Sequence, residues 1–152
     1  MSDFEEKYDE TLEKLKELVK EKQYNELKRE FTDLYPTDIA FLLDDMPEEY
    51  RPVCFRLLPK DIAADVFVEL ESDSQEMLIK SFSNTELESI LDELYLDDTV
   101  DIIEEMPSNV VKRILKYSDP DTRKEINKIL QYPEDSAGSI MTTEFIKLRQ
   151  YN

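Results

Sequence analysis

"PTDIAFLLDDMPEEYRPVCFRLL" (residues 36–58) runs directly into "PKDIAADVFVELESDSQEMLIKSF" (59–82). Laid under one another, the two stretches share a leading proline, the triplet Asp-Ile-Ala at 38–40 and 61–63, and a break near the middle. The register continues through "SNTELESILDELYLDDTVDIIEEM" (83–106) and "PSNVVKRILKYSDPDTRKEINKIL" (107–130), so successive starts lie 23, 24 and 24 residues apart. The breaks fall at Met46-Pro47, Glu71-Ser72, Tyr95-Leu96-Asp97 and Ser118-Asp119-Pro120. Each half has helical periodicity and reads as a helix of about three turns. Ile62, Val66 and Phe67 share a face with Leu70, as do Leu87, Ile90 and Leu91 with Leu94.

A helix pair this small cannot bury its own apolar face, so neighbouring pairs must stack on it. The expected fold is therefore all-α: a superhelical, α-solenoid-like stack of short helix hairpins with a repeat of about 24 residues. The start signals agree. Ser83 with Glu86, and Ser72 with Gln75, have capping-box spacing. Pro47, Pro59 and Pro107 suit first-turn positions, where a missing amide costs nothing. Residues 1–35 differ: Leu12, Leu15, Leu18 and Val19 precede a break near 21–24, then come Leu27 and Phe31. They read as two helices capping the stack.

Composition narrows function. One glycine, Gly138, in 152 residues argues against barrels, sandwiches and glycine-rich phosphate loops. The absence of histidine removes Ser-His-Asp and Cys-His catalysis and most transition-metal sites. A paired-carboxylate hydrolase is disfavoured because no cleft-lining aromatic cluster accompanies the acids. The expectation is a protein that is not an enzyme. The lone Cys54, among apolar neighbours, suggests a buried face and a reducing compartment. No apolar run approaches the roughly 20 residues of a membrane span, so a soluble chain without membrane insertion is expected.

The net charge is −18, and it is concentrated. Residues 36–108 carry 20 acids and 4 bases, whereas residues 109–152 carry 6 acids and 8 bases. Such an anionic segment repels nucleic acid and anionic lipid and attracts cations or basic surfaces. Its sharpest feature is "YLDDTVDIIEEM": Asp97 and Asp98 are placed just before a helix, with Asp101 one turn after Asp97 on the same side. Asp97 also suits an N-cap, and acids in a first turn favour the helix dipole. In "KDIAADVF", Asp65 lies one turn after Asp61. Asp44-Asp45 and Glu48-Glu49 read as plain surface. No EF-hand spacing is present, so any bound ion would be a hard, oxygen-liking one held by few carboxylates, such as a weakly bound Mg2+.

The stretch "RLLPKDIAADVFVELESDSQEMLIKSFSNTELESILDELYLDDTVDIIEEMP", followed by "ILQYPEDSAGSIMTTEFIKL", resembles the cytoplasmic N-terminal domain of MgtE-type magnesium transporters, over about residues 36–148. The resemblance implies a superhelical domain at 36–132, with 133–152 forming a linker and the first residues of a truncated CBS domain. It implies a place on the cytoplasmic side of the cell membrane in a homodimeric protein that continues into a tandem CBS pair and a transmembrane pore. It further implies weak regulatory Mg2+ between acidic surfaces of the N domain and the CBS pair, favouring a closed pore when Mg2+ is plentiful. Carried over by position, the metal residues are Asp65 in "AADV" and Asp97 and Asp101 in "LDDTVD", with Asp98 adjacent. Taken alone, the chain is expected to bind Mg2+ weakly or not measurably, as an excised domain or a stand-alone member. The competing expectation is a helical scaffold of the flagellar motor-switch kind, docking proteins without ion dependence.

Overall fold

The computed structural model describes residues 3–131; the linker and CBS opening expected at 133–152, with Gly138, lie outside them. The described residues form ten α-helices: α1 (Asp3–Lys20), α2 (Tyr24–Thr32), α3 (Pro36–Asp45), α4 (Arg51–Arg56), α5 (Lys60–Glu69), α6 (Ser72–Ser81), α7 (Asn84–Glu93), α8 (Leu96–Glu104), α9 (Ser108–Tyr117) and α10 (Pro120–Gln131). The hairpins α3–α4, α5–α6, α7–α8 and α9–α10 turn at the four expected breaks. The first helices form one row, α3 on α5, α5 on α7 and α7 on α9. In the other row α4 packs on α6 and α8 on α10, while α6 also leans onto α9. The expected all-α stack is the observed architecture.

One apolar core runs the length of the stack. It begins between α1 and α2 with Leu15, Leu27 and Phe31, all fully buried. The first two repeats are joined by Phe55 of α4, Phe67 of α5 and Phe82 after α6, with ring centroids 5.5 to 6.2 Å apart. Tilted and edge-on contacts of this kind add about 1 kcal/mol per pair to the area they bury. Val110, Ile114 and Ile126 close the far end. Cys54 lies in this core, and burial pushes its thiol up to about 12.

Local chemistry explains most boundaries, with corrections to the expected detail. The second half of the first repeat is not a three-turn helix. It is a 3-10 turn at Glu48–Tyr50 followed by the six-residue α4, because Pro52 has no amide to give the Glu48 carbonyl, as a continuous helix would require. Pro47, Pro59 and Pro107 stand one residue earlier than expected, at the N-cap, with extended backbone. Ser83 and Glu86 close a reciprocal capping box at α7. Ser72 does not do the same at α6: it lies inside the helix, and Gln75 turns inward to donate to the carbonyl of Phe67 at 2.9 Å.

Between α1 and α2, Lys22 takes a left-handed φ of 58°. The amide of Gln23 donates to the carbonyl of Leu18 and that of Lys22 to the carbonyl of Val19, which is a Schellman closure built on lysine. The C-termini of α3, α6 and α9 are closed by arginine. Arg51 donates to the carbonyls of Asp44 and Met46 at the end of α3. Arg113 reaches from α9 to the carbonyls of Ile79 and Phe82 at the end of α6. Arg123 serves the end of α9 through the carbonyls of Leu115, Lys116 and Ser118. A guanidinium suits this work because it offers several fixed donors and carries the charge that the negative helix end favours.

Candidate functional site: an acid-lined groove

A groove of about 480 Å³ lies between the start of α6 and the side of α8. One wall is Glu71, Ser72, Asp73 and Gln75, with Val68 and Leu70 behind them; the other is Asp98, Asp101, Ile102 and Glu105. Five carboxylates line it and no base does. The bases of the surrounding segment are engaged elsewhere: Arg51 at the end of α3, Arg56 with Glu86 at 2.8 Å, and Lys80 with Glu76 at 2.8 Å. Lys60 is exposed and does not line the groove. The concentrated charge read from the sequence therefore has a place in the fold where acids from two repeats face one another without a counter-charge.

The site residues expected from sequence divide in two. Asp98 and Asp101 come together in the groove. Asp97 and Asp65 are exposed on α8 and α5 and do not line it. Asp97 and Asp98 do not precede α8 as expected. The helix begins at Leu96, Tyr95 holds the N-cap without a side-chain bond, and both aspartates sit in the first turn. That placement suits the helix dipole but leaves Asp97 free of a capping role. On the same helix, the Glu104 carboxyl sits above its ordinary range. Neighbouring protein atoms desolvate it, although much of the residue reaches solvent, and the charges of Asp101 and Glu105 add to the effect.

Glu71, Asp73 and Glu105 escaped the sequence reading. Their only signal was position: 71–73 marks the midpoint of one repeat, and the second helix of the next repeat must stack nearby. The expectation that Asp44 and Asp45 are plain surface is also corrected. Asp44 accepts hydrogen bonds from the Glu71 amide, at 3.2 and 3.3 Å to its two oxygens, and from the Ser74 hydroxyl at 2.7 Å. Asp45 accepts from the Tyr8 hydroxyl of α1. Burial first, then this bond and the charges of Asp45 and Asp44, raise the Tyr8 phenol above its ordinary value.

Every donor in the groove is a hard oxygen, which fits Mg2+ or a similar cation. Among the described residues, however, no three acidic side chains gather closely enough to cage an ion unaided. The carboxylates suit one side of a shared site, because Mg2+ keeps several waters and takes one or two carboxylates from a given surface. No helix among the described residues is long and apolar enough to cross a membrane.

A row of stacked helix hairpins with an anionic edge defines a helical-repeat domain. Residues 34–135 match the family described as the MgtE intracellular N domain. The chain belongs to that family, whose members are regulatory cytosolic parts of a transporter and are not catalytic. It is 32% identical over 139 residues to the magnesium transporter MgtE of Thermus thermophilus, covering 90% of this chain and 31% of that protein. It is 26% identical over 144 residues to the magnesium transporter MgtE of Bacillus subtilis, covering 95% of this chain and 32% of that protein. The chain thus spans about a third of the length of these curated relatives.

Among solved structures, it resembles the cytosolic domain of the Mg2+ channel MgtE in complex with ATP, with a TM-score of 0.66 and 33% identity, over 80% of this chain and 50% of that one. It also resembles the soluble part of a magnesium transporter, with a TM-score of 0.69 and 26% identity, over 91% of this chain and 55% of that one.

Proposed function

We propose that this domain is the Mg2+-responsive regulatory part of a magnesium transporter or channel. Asp65, Asp97 and Asp101, with Asp98 beside them, present half of a set of Mg2+ sites to an acidic CBS surface of the same protein. When Mg2+ is plentiful the ion screens the repulsion between the two acidic faces, and the compact arrangement favours a closed pore. When Mg2+ falls, like charges separate the faces. The ligand acts only through its differential affinity for the compact state. The homodimeric assembly and the membrane pore belong to the same reading; the names of the relatives, a magnesium transporter and a Mg2+ channel, support the pore. ATP is bound by one structural relative; nothing among the residues described here singles out a nucleotide pocket.

The observation that carries the reading is the anionic edge itself: Asp98 and Asp101 face Glu71 and Asp73 with no lysine or arginine in the lining. The chain's own residues supply the negative field, orient oxygens and withhold a base that would otherwise neutralise them. The ion, when bound, supplies the missing positive charge.

The test joins this chain to a tandem CBS pair, or adds that pair in trans, and follows scattering and protease protection as Mg2+ rises through the millimolar range expected of weak carboxylate sites. Compaction with rising Mg2+, lost in Asp97→Asn plus Asp101→Asn, is the expected result. Association that ignores Mg2+ overturns the sensor and leaves a docking scaffold.

A further inference from the structure

We propose that Asp44, in the first repeat and outside the groove, is a positioning residue for it: Asp44 holds the Glu71–Ser74 corner in place opposite α8. The Mg2+ response of Asp98 and Asp101 then depends on Asp44. This second step rests on the Mg2+ reading above; the positioning itself does not.

The argument starts from a missing cap. The N-cap of α6 is Glu71, whose side chain makes no capping bond, and Ser72 is displaced into the helix. The corner is instead fixed from outside. Asp44, at the end of α3 and 27 residues back in the chain, takes the Glu71 amide on both oxygens. Its Oδ1 also takes the hydroxyl of Ser74, a residue only 2% exposed. The atoms held this way bracket Ser72 and Asp73, so Asp44 anchors the whole acidic lip rather than one side chain.

The lip needs such an anchor. Glu71 and Asp73 line the same groove as Asp98, Asp101 and Glu105, and without a cation their charges push the two walls apart. Leu70 and the aromatic cluster secure the chain before the corner, and Leu78 and Ile79 secure α6 beyond it. Between these anchors, Gln75 ties the lip to the Phe67 carbonyl within its own hairpin, and the bonds that tie it to another repeat are those of Asp44. Asp44 thus fixes the wall without being available to an ion in the groove, and it does not appear in the groove lining.

The experiment has two arms. In the chain alone, amide exchange at Glu71 and NMR contacts across the groove, from Ser72 and Asp73 to Asp101 and Ile102, report position. Asp44→Ala is expected to speed exchange at Glu71 and weaken the cross-groove contacts. Asp44→Asn retains Oδ1 for the Ser74 hydroxyl and the Glu71 amide but sets an NH2 in place of the second oxygen, and is expected to fall between Asp44→Ala and wild type in both. In the chain joined to a tandem CBS pair, the Mg2+ midpoint of compaction should rise about threefold or more in Asp44→Ala. That is a milder form of the ~10-fold losses seen when partners behind metal ligands are removed. Asp44→Asn should restore the midpoint in part.

Unchanged exchange and contacts in Asp44→Ala would overturn the positioning claim. An Asp44→Asn midpoint displaced as far as that of Asp44→Ala would also overturn it, because charge rather than position would then be responsible. A wild-type fusion that ignores Mg2+ overturns the metal reading instead, and the first arm still decides whether Asp44 positions the lip.

Discussion

Helices α6 and α7 begin in nearly the same way along the chain: Ser72 stands three residues before Gln75, and Ser83 three before Glu86. At α7 the motif closes on itself. The Ser83 hydroxyl accepts the Glu86 amide at 3.1 Å, and the Glu86 carboxylate accepts the Ser83 amide at 2.8 Å. At α6 the motif is unused. The glutamine is drawn into the interior by the Phe67 carbonyl, and an aspartate from another repeat takes over the corner. The α7 start is exposed and answers to local chemistry. The α6 start lies against the neighbouring repeat, where the Phe67 carbonyl, already bonded to the Leu70 amide, takes Gln75 as a second donor and the corner is bonded from Asp44 instead of from a local cap.

The largest expected effect lies at the α6 corner. Asp44→Ala should lower unfolding free energy by about 2 kcal/mol, since it removes hydrogen bonds to a charged acceptor and strands the buried Ser74 hydroxyl. A urea unfolding curve with unchanged slope would register this as a lower midpoint. A loss no larger than that of Ser83→Ala would break the contrast between the two helix starts.

Ser83→Ala should cost about 1 kcal/mol, the usual value of a lost N-cap. The other half of that box reports through pH. Glu86 is held down at about 2 by the bond from Arg56 first and then by the Ser83 amide, below an ordinary value of 4.5. Its contribution is therefore complete above about pH 4.5 and lost as pH falls toward 2. The Glu86 side chain is 36% exposed, so solvent screening holds the contribution to the order of 0.5–1 kcal/mol. Thermal unfolding across that range, compared between wild type and Glu86→Gln, measures it. Ser72→Ala should change stability by less than about 0.5 kcal/mol, because the hydroxyl caps nothing. A loss near that of Ser83→Ala would show that Ser72 does cap α6 in solution.

The fold was legible because its signals repeat. The prolines at 36, 59 and 107 with Ser83 set the hairpin register, and Ile39, Val66, Leu87 and Val110 supplied the inward face of each first helix. Finer positions slipped where two local rules competed. Asp97 could serve as an N-cap or as a first-turn acid, and the chain took the second by starting α8 at Leu96, which packs against the core. The candidate site was legible only in part: spacing paired Asp101 with Asp97, whereas the groove sets it beside Asp98, and Glu71 and Asp73 join them only through the stacking of one repeat on the next.

The sequence by itself determined the helices, their pairing into hairpins, the continuity of the core and the concentration of negative charge in the middle repeats, because each follows from contacts within one repeat or from a period that recurs. Only the tertiary structure decided where that charge becomes a groove and what holds its lip. α6 packs on α9 and is bonded by Arg113 at its far end, and the gap between its start and α8 is lined by the acids the two repeats present. Asp44 reaches Glu71 across 27 residues because α3 stacks on α5, a relation set by side-chain packing between repeats and written in no local pattern.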